Sequence, residues 1–250
     1  MTAAFVLICA AAISFYWLYQ TPGGCYEKEF AIGSSVCHQI PSHSFIDEGQ
    51  QFPLCTRCSG LYLGSFVGLI YFFLQGKKGA VPERGYMILL GFLALAWAGD
   101  GINSLVNEFM GRSLLYQTTN GIRLTTGFGM GLVMSTSLAT LFNMTVWSSV
   151  KHSALLNNPW QIILYSAICA LVGFALTQNN LIIFQILGAV CILTVITVIT
   201  LLYSIFWIIL FRKENRIHEL SGVKVYLTAG FGTTMVQILL LNLLRNIILG

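Results

Sequence analysis

The sequence predicts an all-α polytopic membrane protein, a bundle of about seven transmembrane helices. Of the 250 residues, 56% are apolar and 9% are charged, with a mean hydropathy of +0.77, whereas a soluble domain carries about 25% charged residues. The charges also fall in a few short segments between long apolar runs. Each run is about as long as, or longer than, the roughly 20 residues that a helix needs to cross a bilayer. The lipid bilayer is therefore the expected environment of the chain.

The same numbers exclude several classes of protein. The 13 Lys and Arg against 9 Asp and Glu leave a net charge of +4, but these charges do not form one basic face, so no nucleic-acid partner is expected. The composition also argues against intrinsic disorder, a collagen-like repeat and a small disulfide scaffold. The chain carries no motif typical of a hydrolase or a nucleotide enzyme, and whether it is an enzyme stays open.

Seven apolar runs are separated by Gly, Pro and charged clusters, and they cover 2–20, 59–75, 85–109, 123–148, 159–177, 181–211 and 224–249. No Lys or Arg precedes the first run and no convincing cleavage site follows it, so it is interpreted as a span and not as a secretory signal. The sixth run is long enough to tilt or to project beyond the bilayer. Because no stretch alternates between apolar and polar residues, strands are not expected anywhere.

These runs predict the organisation of the chain. A first transmembrane helix (1–20) precedes a hydrophilic loop (21–58), a core of three spans (59–148) and three further spans (149–250).

Lys and Arg in the short loops predict the orientation, because such residues accumulate on the cytoplasmic side. With seven spans, the loops 76–84, 149–158 and 212–223 share a side with the N-terminus and hold Lys77, Lys78, Arg84, Lys151, Arg212, Lys213 and Arg216, with Lys224 at the boundary. The other side holds Lys28, Arg57, Arg112, Arg123 and Arg245. We therefore expect a multi-pass protein of the inner or plasma membrane, with a cytoplasmic N-terminus and an extracytoplasmic 21–58 loop.

The 21–58 loop contains four of the seven cysteines, including Cys37 beside His38 and the pair Cys55-x-x-Cys58. Thiolate sulfur and neutral imidazole nitrogen are ligands that suit zinc, and four of them close a structural site. The sequence therefore predicts a metal site, with zinc as the ion and with Cys37, His38, Cys55 and Cys58 as its ligands.

Redox chemistry is the alternative interpretation of the same cysteines. A Cys-x-x-Cys at the start of a helix, with Arg57 beside it, is an environment that lowers a thiol pKa. In this interpretation Cys25 and Cys37 form a second pair, as in quinone-linked thiol oxidases of the membrane, and quinone is the cofactor. It leaves His38 without a role. A structural disulfide is the third interpretation.

Polar residues inside two spans predict a polar pocket on the same side of the membrane as the cysteine loop. Asp100 and Asn103 lie three residues apart and share one helical face of the third span. An ionisable group within a span needs a partner, and Arg123 at the start of the fourth span is the one that we predict for Asp100. Asp100, Asn103 and Arg123 are therefore candidate catalytic residues, although the pair could also serve only helix packing.

Small residues recur at helical spacing in the second span (Gly60, Gly64, Gly68) and in the fourth (Gly127, Gly131). This spacing predicts close helix contact, which would hold the Cys-x-x-Cys helix against its neighbours. The remaining cysteines, Cys9, Cys169 and Cys191, lie in apolar runs and are expected to be core residues.

These motifs resemble those of a family of prokaryotic integral membrane proteins of unknown function. The shared pattern is Cys-His-Gln-x-Pro-x-x-Ser-Phe, Pro-Leu-Cys-x-Arg-Cys-x-Gly, Asp-Gly and Asn-x-x-Arg-x-x-Thr-Gly, which falls here on 37–45, 53–60, 100–101 and 120–127. The resemblance covers about residues 30 to 135. Two positions depart from it: His43 stands where Arg is expected, and the Gln that commonly follows Asp-Gly is missing. The resemblance implies a membrane protein but no particular activity.

The sequence thus predicts a membrane protein with an extracytoplasmic Cys/His metal site over a polar intramembrane pocket. A quinone-linked thiol-disulfide oxidoreductase that uses Cys55 and Cys58 is the alternative, and a transporter with a metal-stabilised gate is the third hypothesis. Another membrane protein or a second copy of this chain is a candidate partner.

Overall fold

The computed structural model describes residues 3–21, 23–111, 115–178 and 180–249, and within these ranges it contains eight α-helices. Their bounds are α1 Ala3–Gln20, α2 Cys25–Gly33, α3 Thr56–Leu74, α4 Arg84–Met110, α5 Asn120–Val146, α6 Pro159–Ala175, α7 Leu181–Leu210 and α8 Leu220–Leu249. The prediction of an all-α helical bundle is confirmed.

Seven of these helices coincide with the seven predicted apolar runs. Six of them are long and apolar enough to cross a membrane, and α6, with 17 residues, is shorter. At 1.5 Å per residue α6 is about 25 Å long, against about 30 Å for the hydrocarbon core. Helix α7 has 30 residues, as the long sixth run predicts. The additional helix, α2, lies in the hydrophilic loop.

Four short strands contradict the expectation that the chain contains none. Strand β1 (Ile46–Asp47) pairs with β2 (Gln50–Gln51) in an antiparallel hairpin, and β3 (Lys78–Ala80) pairs in parallel with β4 (Lys151–Ala154). Each strand has two to four residues, too few for alternation to be visible in the sequence. The strands connect loops and do not cross the membrane.

Helices α3 and α5 pack closely because glycines face each other along their contact. A Cβ atom at Gly60 would collide with the Leu124 carbonyl, and one at Gly127 would collide with the Arg57 carbonyl. A Cβ at Gly131 would meet the backbone of α3 in the same way. The predicted glycine contact is confirmed, and it fixes the start of α3, which carries Cys58, against α5.

The connecting loops gather at the two ends of the bundle. At one end, called here the basic end, the loops 76–84, 149–158 and 212–223 meet through β3, β4 and the bond from Lys77 Nζ to the His218 carbonyl (2.8 Å). At the other, the cysteine end, Asn242 of α8 donates to the Ala31 carbonyl of α2 (2.8 Å). These contacts place the three loops together at the basic end and α2 at the cysteine end; Arg112 lies outside the described residues.

Candidate metal centre

Three cysteines from two separate segments of the chain meet at the start of α3. The sulfur atoms of Cys37, Cys55 and Cys58 all lie within 4.8 Å of one another, and all three are free thiols. Cys55 is the N-cap residue of α3 and Cys58 lies in its first turn, so the Cys-x-x-Cys spacing directs both sulfurs to one side of the helix end. This group, called here the cysteine cluster, is one that could hold a metal ion.

The segment around Cys37 is tied to its surroundings through the buried Gln39. Gln39 adopts a positive φ of 55°, and its side-chain amide donates to the carbonyls of Phe30 (2.7 Å) and Pro53 (2.8 Å). Its own carbonyl accepts a bond from the Gln51 side chain (2.8 Å). These bonds join α2, the Cys37 turn and the segment before Cys55, so they hold the cluster's two chain segments together.

The β1–β2 hairpin connects the two segments, and its turn residues adopt the backbone conformation that a tight hairpin turn requires. Glu48 and Gly49 have φ values of 46° and 80°, and two successive positive values are typical of a two-residue type I′ turn. After β2 the chain places Phe52 and Leu54 in the core, each with 0% exposure. Their burial anchors the backbone that leads directly into Cys55.

Two backbone N–H groups donate to the sulfur of Cys37. The donors are Gln39 N at 3.4 Å and Cys55 N at 3.2 Å. Hydrogen bonds to the charged form of a group favour that form, so these donors stabilise a Cys37 thiolate once a cation replaces its proton. The backbone is thus arranged for a sulfur that carries negative charge.

The thiols also act on one another in the absence of a cation. Hydrogen bonding with Cys37 and then with Cys58 lowers the pKa of Cys55 to about 2, and the positive charge of Arg57 acts in the same direction. Hydrogen bonding with Cys55 raises the pKa of Cys37 to about 11. Within the cluster Cys55 therefore loses its proton most easily, and a thiolate at Cys55 attracts a cation.

His38, the fourth ligand predicted from sequence, is exposed and does not belong to the cluster. Among the described residues the group consists of the three cysteines alone. His43 packs at the end of the short 3-10 turn Pro41–His43, where its Nε2 lies 3.7 Å from Glu108. Cys25, predicted to pair with Cys37 in the redox interpretation, is exposed and lies outside the cluster.

The three other cysteines lie within helices. Cys169 and Cys191 are buried, as predicted for core residues, whereas Cys9 is half-buried. Cys191 in α7 lies below the cluster, with its sulfur 3.9 Å from the Ser59 carbonyl.

The predicted partner of Asp100 is wrong. Arg57, and not Arg123, binds the Asp100 carboxylate, through Nε at 2.9 Å and Nη2 at 2.5 Å. Nη2 also reaches Ser104 Oγ (2.7 Å), and Tyr116 donates to the other carboxylate oxygen (2.9 Å). The Asp100 side chain is 0% exposed and that of Arg57 16%. Arg57, Asp100, Ser104 and Tyr116 form the polar cluster.

Arg57 takes this place because of the close contact between α3 and α5. Its backbone carbonyl lies against Gly127 of α5, while its side chain extends to α4 and reaches Asp100. In the sequence Arg57 is most easily associated with the cysteines on either side of it. Tyr116 lies in a loop without periodicity, and the sequence carries no signal for its role.

Arg123 is buried next to the polar cluster, at 6% exposure. Its Nη1 donates to Asn120 Oδ1 (2.9 Å), and its Nε has no hydrogen-bond partner in the described part of the chain. Asn103, also buried, donates to the Tyr116 carbonyl (2.7 Å) and to Thr118 Oγ1 (3.0 Å). Asn103 therefore holds the loop that positions the Tyr116 hydroxyl.

Comparison with known proteins identifies the family of this chain. The model of a family described as "Predicted membrane protein (DUF2085)" matches residues 37–137. A protein of Methanothermobacter thermautotrophicus described as uncharacterized is 30% identical over 105 residues, which are 41% of this chain and 86% of that protein. The chain belongs to the DUF2085 family.

A second relative, an uncharacterized protein of Methanocaldococcus jannaschii, is 29% identical over 124 residues, 49% of this chain and 73% of that protein. No solved structure matches the chain. The family region contains the whole cysteine cluster, the polar cluster and Arg123. The resemblance seen in the sequence is confirmed at the level of the family, and its detailed residue pattern stays a prediction.

Proposed function

We propose that this protein is an integral membrane metalloprotein in which Cys37, Cys55 and Cys58 bind one zinc ion as thiolates. The observation that carries the proposal is the approach of the three sulfurs to within 4.8 Å of one another. In a tetrahedral site with Zn–S bonds of about 2.3 Å the sulfurs stand about 3.8 Å apart. Binding an ion therefore requires only a small contraction of the cluster.

The chemistry of the donors supports zinc over a hard cation. Thiolates are soft ligands that select zinc, copper(I) or iron–sulfur clusters, whereas magnesium and calcium prefer oxygen. The N–H groups of Gln39 and Cys55 that donate to Cys37 supply the outer hydrogen bonds that orient metal-bound ligands.

We assign the fourth coordination position to water or to a substrate. A zinc site with three protein ligands keeps one position open, as in catalytic sites, whereas a fourth protein ligand closes a structural site. The exposure of His38 outside the cluster supports the open site. His38 as fourth ligand, the set predicted from sequence, is the competing arrangement, and the experiment below separates the two.

The polar cluster gives this centre a connection to the membrane interior. Arg57 lies between Cys55 and Cys58 in the sequence, and its side chain binds Asp100 within the long helix α4. A molecule bound at the metal would therefore lie near the Arg57–Asp100 ion pair and near the buried Arg123. We propose that Asp100, Asn103 and Arg123 line or support the polar pocket beneath the metal.

The proposed orientation follows the basic residues of the loops. The basic end faces the cytoplasm and the cysteine end faces the exterior of an inner or plasma membrane. In this arrangement residues 1–20 are the first span, 21–58 the extracytoplasmic metal loop, 59–148 the core of three spans, and 149–250 the remaining three.

Metal analysis of the purified protein, together with a thiol count, tests the proposal. We expect about one zinc per chain in the wild type and near-complete loss in Cys55→Ser, because a site with three protein ligands loses much of its binding energy with one of them. Cys25→Ser is the matched control, since Cys25 is an exposed cysteine of the same loop outside the cluster. The control should keep its zinc.

The same measurement separates the alternatives. Retention of zinc in His38→Ala supports the open site, and its loss makes His38 the fourth ligand. A metal-free wild type in which Cys55 and Cys58 are oxidised to a disulfide would overturn the zinc proposal.

The lowered pKa of Cys55 favours redox chemistry as the second candidate function. Formation of the disulfide from the Cys55 thiolate and the Cys58 thiol releases one proton and two electrons. A membrane quinone would accept both electrons, together with that proton and a second one from solvent, to become quinol. In that case reduced protein should convert an added quinone to quinol, and Cys58→Ser should not.

A further inference from the structure

A cavity of about 380 Å³ with both polar and apolar walls lies at the cysteine end, between the end of α1, helix α2 and the end of α8. Its wall includes Trp17, Gln20, Glu27, Ser34, Arg245 and Asn246. None of these residues belongs to the cysteine cluster or the polar cluster, although Gln39, whose backbone N–H donates to Cys37, also lines the cavity. The cavity therefore adjoins the metal centre but contains none of its proposed ligands.

Arg245 is the cation of this cavity, and its contacts leave most of its donors free. Its Nη1 donates to the Ser34 carbonyl (3.4 Å) and to Gln39 Oε1 (3.1 Å), which are both uncharged acceptors. Among the described residues it forms no ion pair with a carboxylate, and its Nε and Nη2 make no hydrogen bond. The planar guanidinium fork is suited to phosphate.

The walls around Arg245 are fixed by neutral hydrogen bonds. Trp17 Nε1 donates to Asn242 Oδ1 (3.1 Å), and Asn242 Nδ2 donates to the Ala31 carbonyl (2.8 Å) and to Ser34 Oγ (3.0 Å). These bonds connect α1, α8 and α2. The cavity is thus a preformed space between three helices, and the buried Trp17 forms part of its wall.

A separate apolar groove lies about one helical turn away, between α1 and α8. It has a volume of about 210 Å³, and its wall includes Cys9 and Ile13 of α1 and Gly232 and Val236 of α8. Ile13 precedes Trp17 by one helical turn, so the groove and the cavity lie on the same face of α1. A cavity with charged and polar side chains beside an almost wholly apolar groove matches a headgroup beside an acyl chain.

We propose that the cavity binds the headgroup of a phospholipid that carries an amine, with the acyl chain in the α1–α8 groove. Arg245 binds the phosphate, and the Glu27 carboxylate, which lines the same cavity, binds the ammonium group. This proposal requires only that the helices span a membrane. It does not depend on the metal centre.

Lipid binding to the purified, delipidated protein tests the proposal. The probes are phosphatidylethanolamine, phosphatidylglycerol and inorganic phosphate, and the readouts are bound lipid by native mass spectrometry and the rise in melting temperature. We expect phosphatidylethanolamine to bind best and Arg245→Gln to weaken it by about tenfold or more, as the loss of a charge-assisted hydrogen bond predicts. Glu27→Gln should remove the preference for phosphatidylethanolamine over phosphatidylglycerol.

Two further variants keep the test decisive. Arg212→Gln, which removes an exposed arginine at the basic end, should bind lipid as the wild type does. Val236→Phe fills the groove without a change of charge and should weaken lipid binding while zinc content stays unchanged. Equal binding by the wild type and Arg245→Gln would overturn the proposal, and so would inorganic phosphate that binds as tightly as the lipid.

Discussion

Removal of one member of the Arg57–Asp100 pair should destabilise the protein strongly. The Asp100 carboxylate is 0% exposed and accepts two N–H groups from Arg57, at 2.9 and 2.5 Å, besides the Tyr116 hydroxyl. Loss of one partner of a buried pair costs about 3 to 5 kcal/mol, because the remaining charge stays buried. The 16% exposure of the Arg57 side chain allows some hydration, so we expect about 3 kcal/mol for Asp100→Asn and for Arg57→Gln.

A double-mutant cycle makes the prediction specific. The combined Arg57→Gln and Asp100→Asn protein retains neither charge of the pair, so its loss of stability should be smaller than the sum of the single losses by about 2 kcal/mol. The assay is unfolding in detergent micelles with a fixed detergent concentration. The control cycle pairs Asp100→Asn with Arg123→Gln and should be closer to additive, within about 1 kcal/mol. Additivity in the Arg57 cycle, or a larger coupling in the Arg123 cycle, would refute the assignment of the pair.

Three other predictions follow from the packing, the thiols and the topology. Gly127→Ala should lower the melting temperature, because its Cβ would collide with the backbone of α3, whereas Gly91→Ala, at a helix position with open space around it, should leave the temperature unchanged or raise it. After chelation of metal, the alkylation rate of Cys55 should stay nearly constant as the pH falls from about 8 to about 5. The reason is that the pKa of Cys55 is lowered to about 2, so its thiolate persists over this range. A steep fall in the rate would contradict this. A membrane-impermeant maleimide should label the exposed Cys25 in intact cells, and should label a Lys213→Cys variant at its new cysteine only after lysis; the reverse result would invert the orientation.

The sequence by itself determined the secondary structure of the membrane domain, because the signals involved are local. Length and hydropathy of a run decide whether it can cross a bilayer, so the helix bounds follow the apolar runs closely. The first residues of the helices were predicted less accurately than their existence. Helix α3 begins at Thr56, three residues before the predicted run, because a helix can continue into polar sequence at the membrane surface. The hairpin strands were missed because each has only two residues.

The sequence also identified which residue types are candidates for chemistry. Cys55 and Cys58 were recognised from their spacing alone, and Asp100 from its presence in an apolar span. The glycines of α3 and α5 indicated a close contact between these helices. In each case the signal lies within one helix or one short segment.

The tertiary structure decided which of these candidates meet. Whether Arg57 or Arg123 reaches Asp100 depends on the rotation and the depth of α3 relative to α4 and α5, which periodicity within one helix does not specify. Likewise Cys37 joins the cluster, while its neighbour His38 is exposed, because adjacent residues in a turn point in different directions. Contacts between segments distant in sequence are set by packing of the whole bundle, and for this reason the ligand group and the ion pair became visible only in the folded chain.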